Sequence, residues 1–181
     1  RRSLEEHTDE TKAHSKRLKG LALKVGIRIG LSEYELSQLE MLAMIHDIGK
    51  IAIPKSIFSK TDSLTNEEWH VIRRHCEIGY RIAVYSPELA PLADGILSHH
   101  EHWNGAGYPQ GLAGEQIPLV SRIISIADAY DILTHGRPYR KPISPKEALL
   151  EIRRCAGTQF DPWLVGQFVS LFEEELLKQA Q

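Results

Sequence analysis

Apolar residues recur at spacings of three and four along almost the whole chain, and three of the stripes so formed run into a histidine. Leu18, Leu21, Val25 and Ile29 place residues from about 4 to 29 on one long amphipathic helix, which Gly30 ends. Ser32 can cap a second helix, on which Leu36, Leu39, Ala43 and His46 share a face. Pro54 breaks that pattern. Thr65-Asn66-Glu67-Glu68 has the form of a capping box that starts a helix carrying Trp69, Ile72 and His75, and Leu89, Leu92, Ile96 and His99 make another such stripe. Further helices are expected over 119–133, from the cap Ser144-Pro145-Lys146-Glu147, and over 161–178. There is no alternating strand pattern, internal repeat or low-complexity segment, so the expectation is an all-α, single-domain bundle of about seven helices. Glu101 to Pro118 holds four glycines and two prolines without periodicity and reads as one long loop, a kind of segment that in a compact domain is usually functional.

The histidines matter for where they stand. A single histidine on an apolar stripe is ordinarily a hydrogen-bonded core residue. Of the nine here, five stand in or beside acidic or paired groupings: His14 with Glu10, His46 with Asp47, His75, and His99 with His100. Several imidazoles and carboxylates at the inward ends of stripes would be costly to bury without a cation, so together they point to a polynuclear metal site. Glu10 and His14, four apart, share a helix face, as do Asp128 and Asp131. His46 and Asp47 diverge by about 100° on a helix, which suits a carboxylate bridging two ions while its neighbour binds one. The donor set is nitrogen and oxygen without thiolate, which suits iron, manganese, zinc, nickel or cobalt alike and argues against a structural zinc site. His7, His70, His102 and His135 lie in charged or loop settings and are left outside the site, and Trp69, Trp103 and Trp163 are read as core or loop anchors.

Charge narrows the partners. Twenty-two Lys and Arg against 24 Asp and Glu in 181 residues leave no broad positive surface for long nucleic acid, whereas a small phosphate ester needs only a local basic cluster. Cys76 and Cys155 form no CxxC pair or disulfide framework, which points to a reducing, cytoplasmic setting. No apolar run approaches the roughly 20 residues of a membrane span, so no membrane contact is expected within this segment. The opening Arg1-Arg2-Ser3, without Met, suggests a piece of a larger signalling protein, with residues 1–181 as one domain.

Read in order, His46-Asp47-Ile48-Gly49-Lys50, His99-His100-Glu101 and Asn104-Gly105-Ala106-Gly107-Tyr108-Pro109-Gln110-Gly111-Leu112 closely resemble the HD-GYP family, a branch of the HD phosphohydrolases. The resemblance extends to Glu10-Thr11-Lys12-Ala13-His14, Ile51-Ala52-Ile53-Pro54, Ala127-Asp128-Ala129-Tyr130-Asp131 and Arg137-Pro138-Tyr139-Arg140, nearly the whole chain. It implies an all-helical phosphodiesterase that hydrolyses cyclic di-GMP to pGpG and in some members onward to GMP. It also implies two or three divalent ions, iron or manganese before zinc, nickel or cobalt, with His14, His46, Asp47, His75, His99, His100 and Asp128 as metal ligands and Glu10 at the position tied to a third metal. Lys50, Tyr108, Arg137 and Arg140 would contact substrate, with Asp131 nearby. Asn104 stands where many members have Asp, and His102 where Arg is common; neither is a presumed ligand.

The chemistry expected is attack of metal-activated water, organised at Asp47, on phosphorus in line with the departing 3′ oxygen. Lys50 and Arg137 would balance charge growing on the phosphoryl oxygens. Two alternatives stay open: a module that binds a cyclic dinucleotide or a partner protein without turnover, and a hydrolase of another cyclic dinucleotide or nucleotide. The family loop is also thought to engage other signalling domains, and a homodimer is compatible with the sequence.

Overall fold

In the computed structural model the backbone is described for residues 2–58, 60, 63–136 and 141–179, and side chains from residue 12 onward except at 58 and 179. Nine α-helices occur among these residues: α1 (Arg2–Arg28), α2 (Glu33–Ile45), α3 (Lys55–Phe58), α4 (Asn66–Arg73), α5 (His75–Val84), α6 (Ala93–Ser98), α7 (Leu119–His135), α8 (Pro145–Arg154) and α9 (Pro162–Gln179). No strand forms among them, only two isolated bridges. All seven stretches expected from the apolar pattern are helical. The additional elements are the single turn α3 and a break at Arg74 that divides one expected helix into α4 and α5.

Local chemistry sets the helix ends. Capping boxes close at three N-termini: Ser32 with Glu35, Thr65 with Glu68, and Ser144 with Glu147, each pairing a hydroxyl acceptor with a returning carboxylate. Gly30 takes φ +80° after α1, a left-handed conformation open to glycine at little cost, while Leu31 N–H donates back to the Gly26 carbonyl at 3.0 Å.

The core forms where α1, α2, α7, α8 and α9 meet. Leu18, Ala22 and Val25 of α1 bury against Leu39, Leu42 and Ala43 of α2 and Ile123, Ile124, Ile126 and Ala127 of α7. Tyr130, Phe168 and Phe172 form an aromatic triad joining α7 to α9, with ring centroids 4.5 to 5.4 Å apart. The expectation that the tryptophans are anchors holds for Trp103, which lies in the long loop beneath the Arg122 guanidinium at 5.8 Å. Trp69 and Trp163 are instead exposed, on the outer faces of α4 and α9.

Three features position the site. After His46 the chain leaves α2 through Asp47 (φ −94°, ψ 10°) into a 3₁₀ turn, Ile48–Ala52. Gly49 in that turn lies directly on the backbone of α5, where any Cβ would overlap the His75 carbonyl oxygen. The loop from 101 to 118 is ordered from within: the buried Glu101 carboxylate accepts N–H bonds from Gln110 (2.7 Å), Gly111 (3.2 Å) and Leu112 (3.1 Å). Trp103 and Asn104 N–H groups donate to Gln159 and Thr158 carbonyls, tying the loop to the α8–α9 connection. Asn104 accepts from Ala106 N–H at 3.0 Å ahead of Gly105 (φ +80°), the turn role expected of Asn in place of Asp.

Gly49→Ala is expected to destabilise the fold by about 3 kcal/mol, because main chain rather than a yielding side chain blocks the added methyl. Chemical denaturation of the two proteins, together with metal uptake, checks this.

Candidate metal centre

The three stripe-ending histidines share one local device. Each sits within or just beyond the last turn of a helix and bonds through Nδ1 to the carbonyl three residues earlier: His46 to Ala43 (3.1 Å), His75 to Ile72 (2.7 Å) and His99 to Ile96 (2.6 Å). A carbonyl only accepts, so each Nδ1 carries the proton and each Nε2 presents a lone pair. These lone pairs converge. His75 Nε2 and His99 Nε2 lie 3.3 Å apart on side chains 1 % and 2 % exposed, two acceptors facing each other with no proton between them. His100 packs beside them, its ring centroid 4.2 Å from that of His99 and 5.1 Å from that of His75.

Asp47 stands between this trio and a second group. Its Oδ1 is 3.4 Å from His75 Nε2 and 3.8 Å from His99 Nε2, while Oδ2 is 3.4 Å from His46 Nε2 and 2.5 Å from Lys50 Nζ. The second group is His14, His46 and Asp128, each offering a ligand atom within 4.8 Å of the others. His14 Nε2 and Asp128 Oδ1 are 3.3 Å apart but not aligned for a hydrogen bond, so both are buried without a partner, as is Asp47 Oδ1. Buried lone pairs left without donors are costly unless a cation sits among them, and the donors fit divalent ions of borderline hardness.

Protonation agrees. Burial and the neighbouring His46 push His99 down to about 3, and burial with His99 drives His100 well below the usual imidazole range, so both are neutral donors at physiological pH. Burial alone would raise the Asp47 carboxyl, but His46 and Lys50 outweigh it and keep it ionised. His14 behaves differently: burial opposes its charge, yet Asp128 and Asp131 prevail and raise it to about 9.

All seven residues expected as metal ligands for two ions are thus brought together. Glu10, expected at a third ion, lies in α1, but its side chain is outside the described residues, as are Arg137 and Arg140. Tyr108 covers the trio, its ring stacked on His100 at 4.9 Å, and the Arg73 guanidinium lies 5.0 Å from the same ring. Asp131 is 1 % exposed, with its carboxylate held by His14 Nδ1 (2.7 Å) and by Arg17 (2.6 and 2.9 Å). Those bonds outweigh burial and hold its carboxyl down to about 2. It therefore fixes the orientation of His14, as carboxylates do beneath imidazoles that bind metals.

Sequence reasoning missed two neighbours. Arg17 lies one turn beyond His14 on α1, and that spacing was the available signal. Cys76 was read only as a free thiol, yet its Sγ is 3.5 Å from His75 Nε2 and it groups with His75, His99 and His100. The donor set within reach of an ion is therefore not free of sulfur, contrary to expectation. Burial, assisted by Asp47, pushes this thiol up to about 12 while no cation is bound.

The HD-domain family profile matches residues 1–164, and the chain belongs to that family; the order of its motifs puts it in the HD-GYP branch. It is 38% identical over 174 residues to a cyclic di-GMP phosphodiesterase of Thermotoga maritima, covering 94% of this chain and 47% of that protein. It is 39% identical over 163 residues to the cyclic di-GMP phosphodiesterase response regulator RpfG of Xanthomonas campestris, covering 89% of this chain and 43% of that one. Among solved structures it resembles a cyclic GMP-AMP specific phosphodiesterase of V. cholerae, with a TM-score of 0.68 and 28% identity over 88% of this chain and 44% of that chain. The chain thus spans less than half the length of these relatives.

Asp131→Asn should weaken metal binding about 10- to 100-fold by loosening His14, measurable by competition with a chromophoric chelator. In the metal-free protein the raised His14 contributes stability that is fully present below its unfolded value of 6.5 and lost as pH rises through about 9. Unfolding free energy should accordingly fall by about 3 kcal/mol across that window, and less so in His14→Gln, as denaturation at a series of pH values would report.

Proposed function

We propose that the domain hydrolyses a phosphodiester bond of a cyclic dinucleotide, cyclic di-GMP to pGpG and onward to GMP, using two divalent ions, with Glu10 as donor to a third. The observation that carries this reading is the cluster of inward lone pairs: His75 and His99 nitrogens 3.3 Å apart, and buried oxygens of Asp47 and Asp128 without partners. The names of the relatives supply the substrate class.

Bound divalent ions would polarise the phosphoryl oxygens and bring the ionisation of water near neutrality. The chain's own residues do the rest. Asp47 joins the His14, His46 and Asp128 group to the trio of His75, His99 and His100, and would be the carboxylate within reach of both ions. Lys50, bonded to Asp47 Oδ2, places an ammonium at the rim, where it can meet a phosphoryl oxygen. Tyr108 walls the entrance above His100 and offers a surface on which a guanine can stack. Arg137 and Arg140 are assigned to the substrate's phosphates and bases from the motif alone. Asp131 orients His14 instead of touching substrate.

The favoured purine pair is cyclic di-GMP, with the mixed guanine and adenine dinucleotide as the second candidate, since the similar V. cholerae structure is that of a cyclic GMP-AMP specific phosphodiesterase. Iron or manganese is the proposed metal. No described helix is long and apolar enough to cross a membrane, and the two free cysteines support a cytoplasmic setting.

The test is turnover of both dinucleotides by protein purified without oxygen, with metal quantified on the same sample. Asp47→Ala should lose at least about 100-fold in kcat, since ion binding and positioning both depend on it. Metal-loaded wild type that binds a cyclic dinucleotide without cleaving it would replace this reading with that of a binding module.

A further inference from the structure

We propose that Cys76 is a sulfur ligand in the trio's subsite, adding one sulfur to the nitrogens of His75, His99 and His100 beside the Asp47 carboxylate. The inference rests on the metal-centre reading above and adds a donor to it.

Two of the separations fall at the upper end of those imposed by a shared ion. With bonds of about 2.05 Å to imidazole and about 2.3 Å to sulfur, angles from about 90° to about 109° at the ion put two nitrogens about 2.9 to 3.3 Å apart and a nitrogen and a sulfur about 3.1 to 3.5 Å apart. His75 Nε2 and His99 Nε2 are 3.3 Å apart, and Cys76 Sγ is 3.5 Å from His75 Nε2. One donor atom from each of the four residues lies within 4.8 Å of the other three. The two imidazoles point to a cation independently of the cysteine, because both are almost wholly buried with Nδ1 committed to a carbonyl, and His99 Nε2 faces His75 Nε2 and the unpartnered Asp47 Oδ1, acceptors both. A cysteine used as a small apolar filler would turn its sulfur toward aliphatic neighbours. Cys76, fully buried, turns it toward the open nitrogen of His75. Coordination there releases the thiol proton to solvent.

A soft donor changes which ion the pocket prefers. Sulfur with three imidazoles favours iron(II), cobalt(II) or zinc(II) over manganese(II) and magnesium(II), whereas His14, His46 and Asp128 offer no sulfur. The two subsites therefore differ in softness, with Asp47 between them.

Cobalt(II) added to the metal-free, oxygen-protected chain provides the test. Stoichiometric uptake with a near-ultraviolet sulfur-to-cobalt charge-transfer band is expected in wild type. The band should be kept in Cys155→Ser and lost in both Cys76→Ser and Cys76→Ala. Uptake by wild type without the band would make Cys76 only a hydrogen-bonded thiol and overturn the inference, leaving the metal centre intact. A band that survives in the Cys76 variants would overturn it likewise. Failure of wild type to take up cobalt at all would overturn the metal-centre reading and this inference together.

Discussion

The hydrogen bond from an imidazole Nδ1 to a helix's own last-turn carbonyl is the interaction on which the centre depends. The final carbonyls of any helix lack intrahelical donors. His46, His75 and His99 each follow such a turn and supply the missing donor, through the Ala43, Ile72 and Ile96 carbonyls. One bond thereby ends a helix, fixes a tautomer and points an unprotonated Nε2 away from the backbone. Used three times on α2, α4 and α6, it turns three separate helix ends into one inward-facing set of donors, and burial lowers the proton affinity of His75 and His99.

Much of this was written in local pattern. Apolar stripes that run into His46, His75 and His99 needed only spacing to be read, and the capping boxes at Ser32, Thr65 and Ser144 needed only residue type three positions apart. The all-α class follows from the same periodicity. The rest depended on contacts distant in sequence. Asp131 shares a face with Asp128 as expected, but that it engages His14 and Arg17, more than a hundred residues away, could come only from the packing of α1 against α7. Cys76 was invisible for a similar reason: adjacent residues on a regular helix point apart, and only at the first turn of α5, after the break at Arg74, do His75 and Cys76 converge on one space. Exposure of Trp69 and Trp163 likewise reflects which face of each helix meets the bundle.

The long loop, although irregular in sequence, is organised much like a folded element. Glu101 replaces a strand's hydrogen-bonding partner with one carboxylate that gathers three successive N–H groups, so the turn after Pro109 is shaped by a residue adjacent to the pair His99-His100. Tyr108, carried by that loop, stacks on His100. Loop and ligands are therefore one mechanical unit, and a change in loop conformation would be felt at an imidazole.

The contact of Gly49 with α5 bears on how such a centre could evolve or be redesigned. Asp47 and His75 belong to two segments pressed main chain to main chain, with no side chain between them to lengthen or shorten. Were two ions held there, the distance between them would be set like a ruler by backbone, while the donors hung on it would stay exchangeable. Substitutions among those donors would alter which ions are held and how tightly and leave the gauge of the pair unchanged.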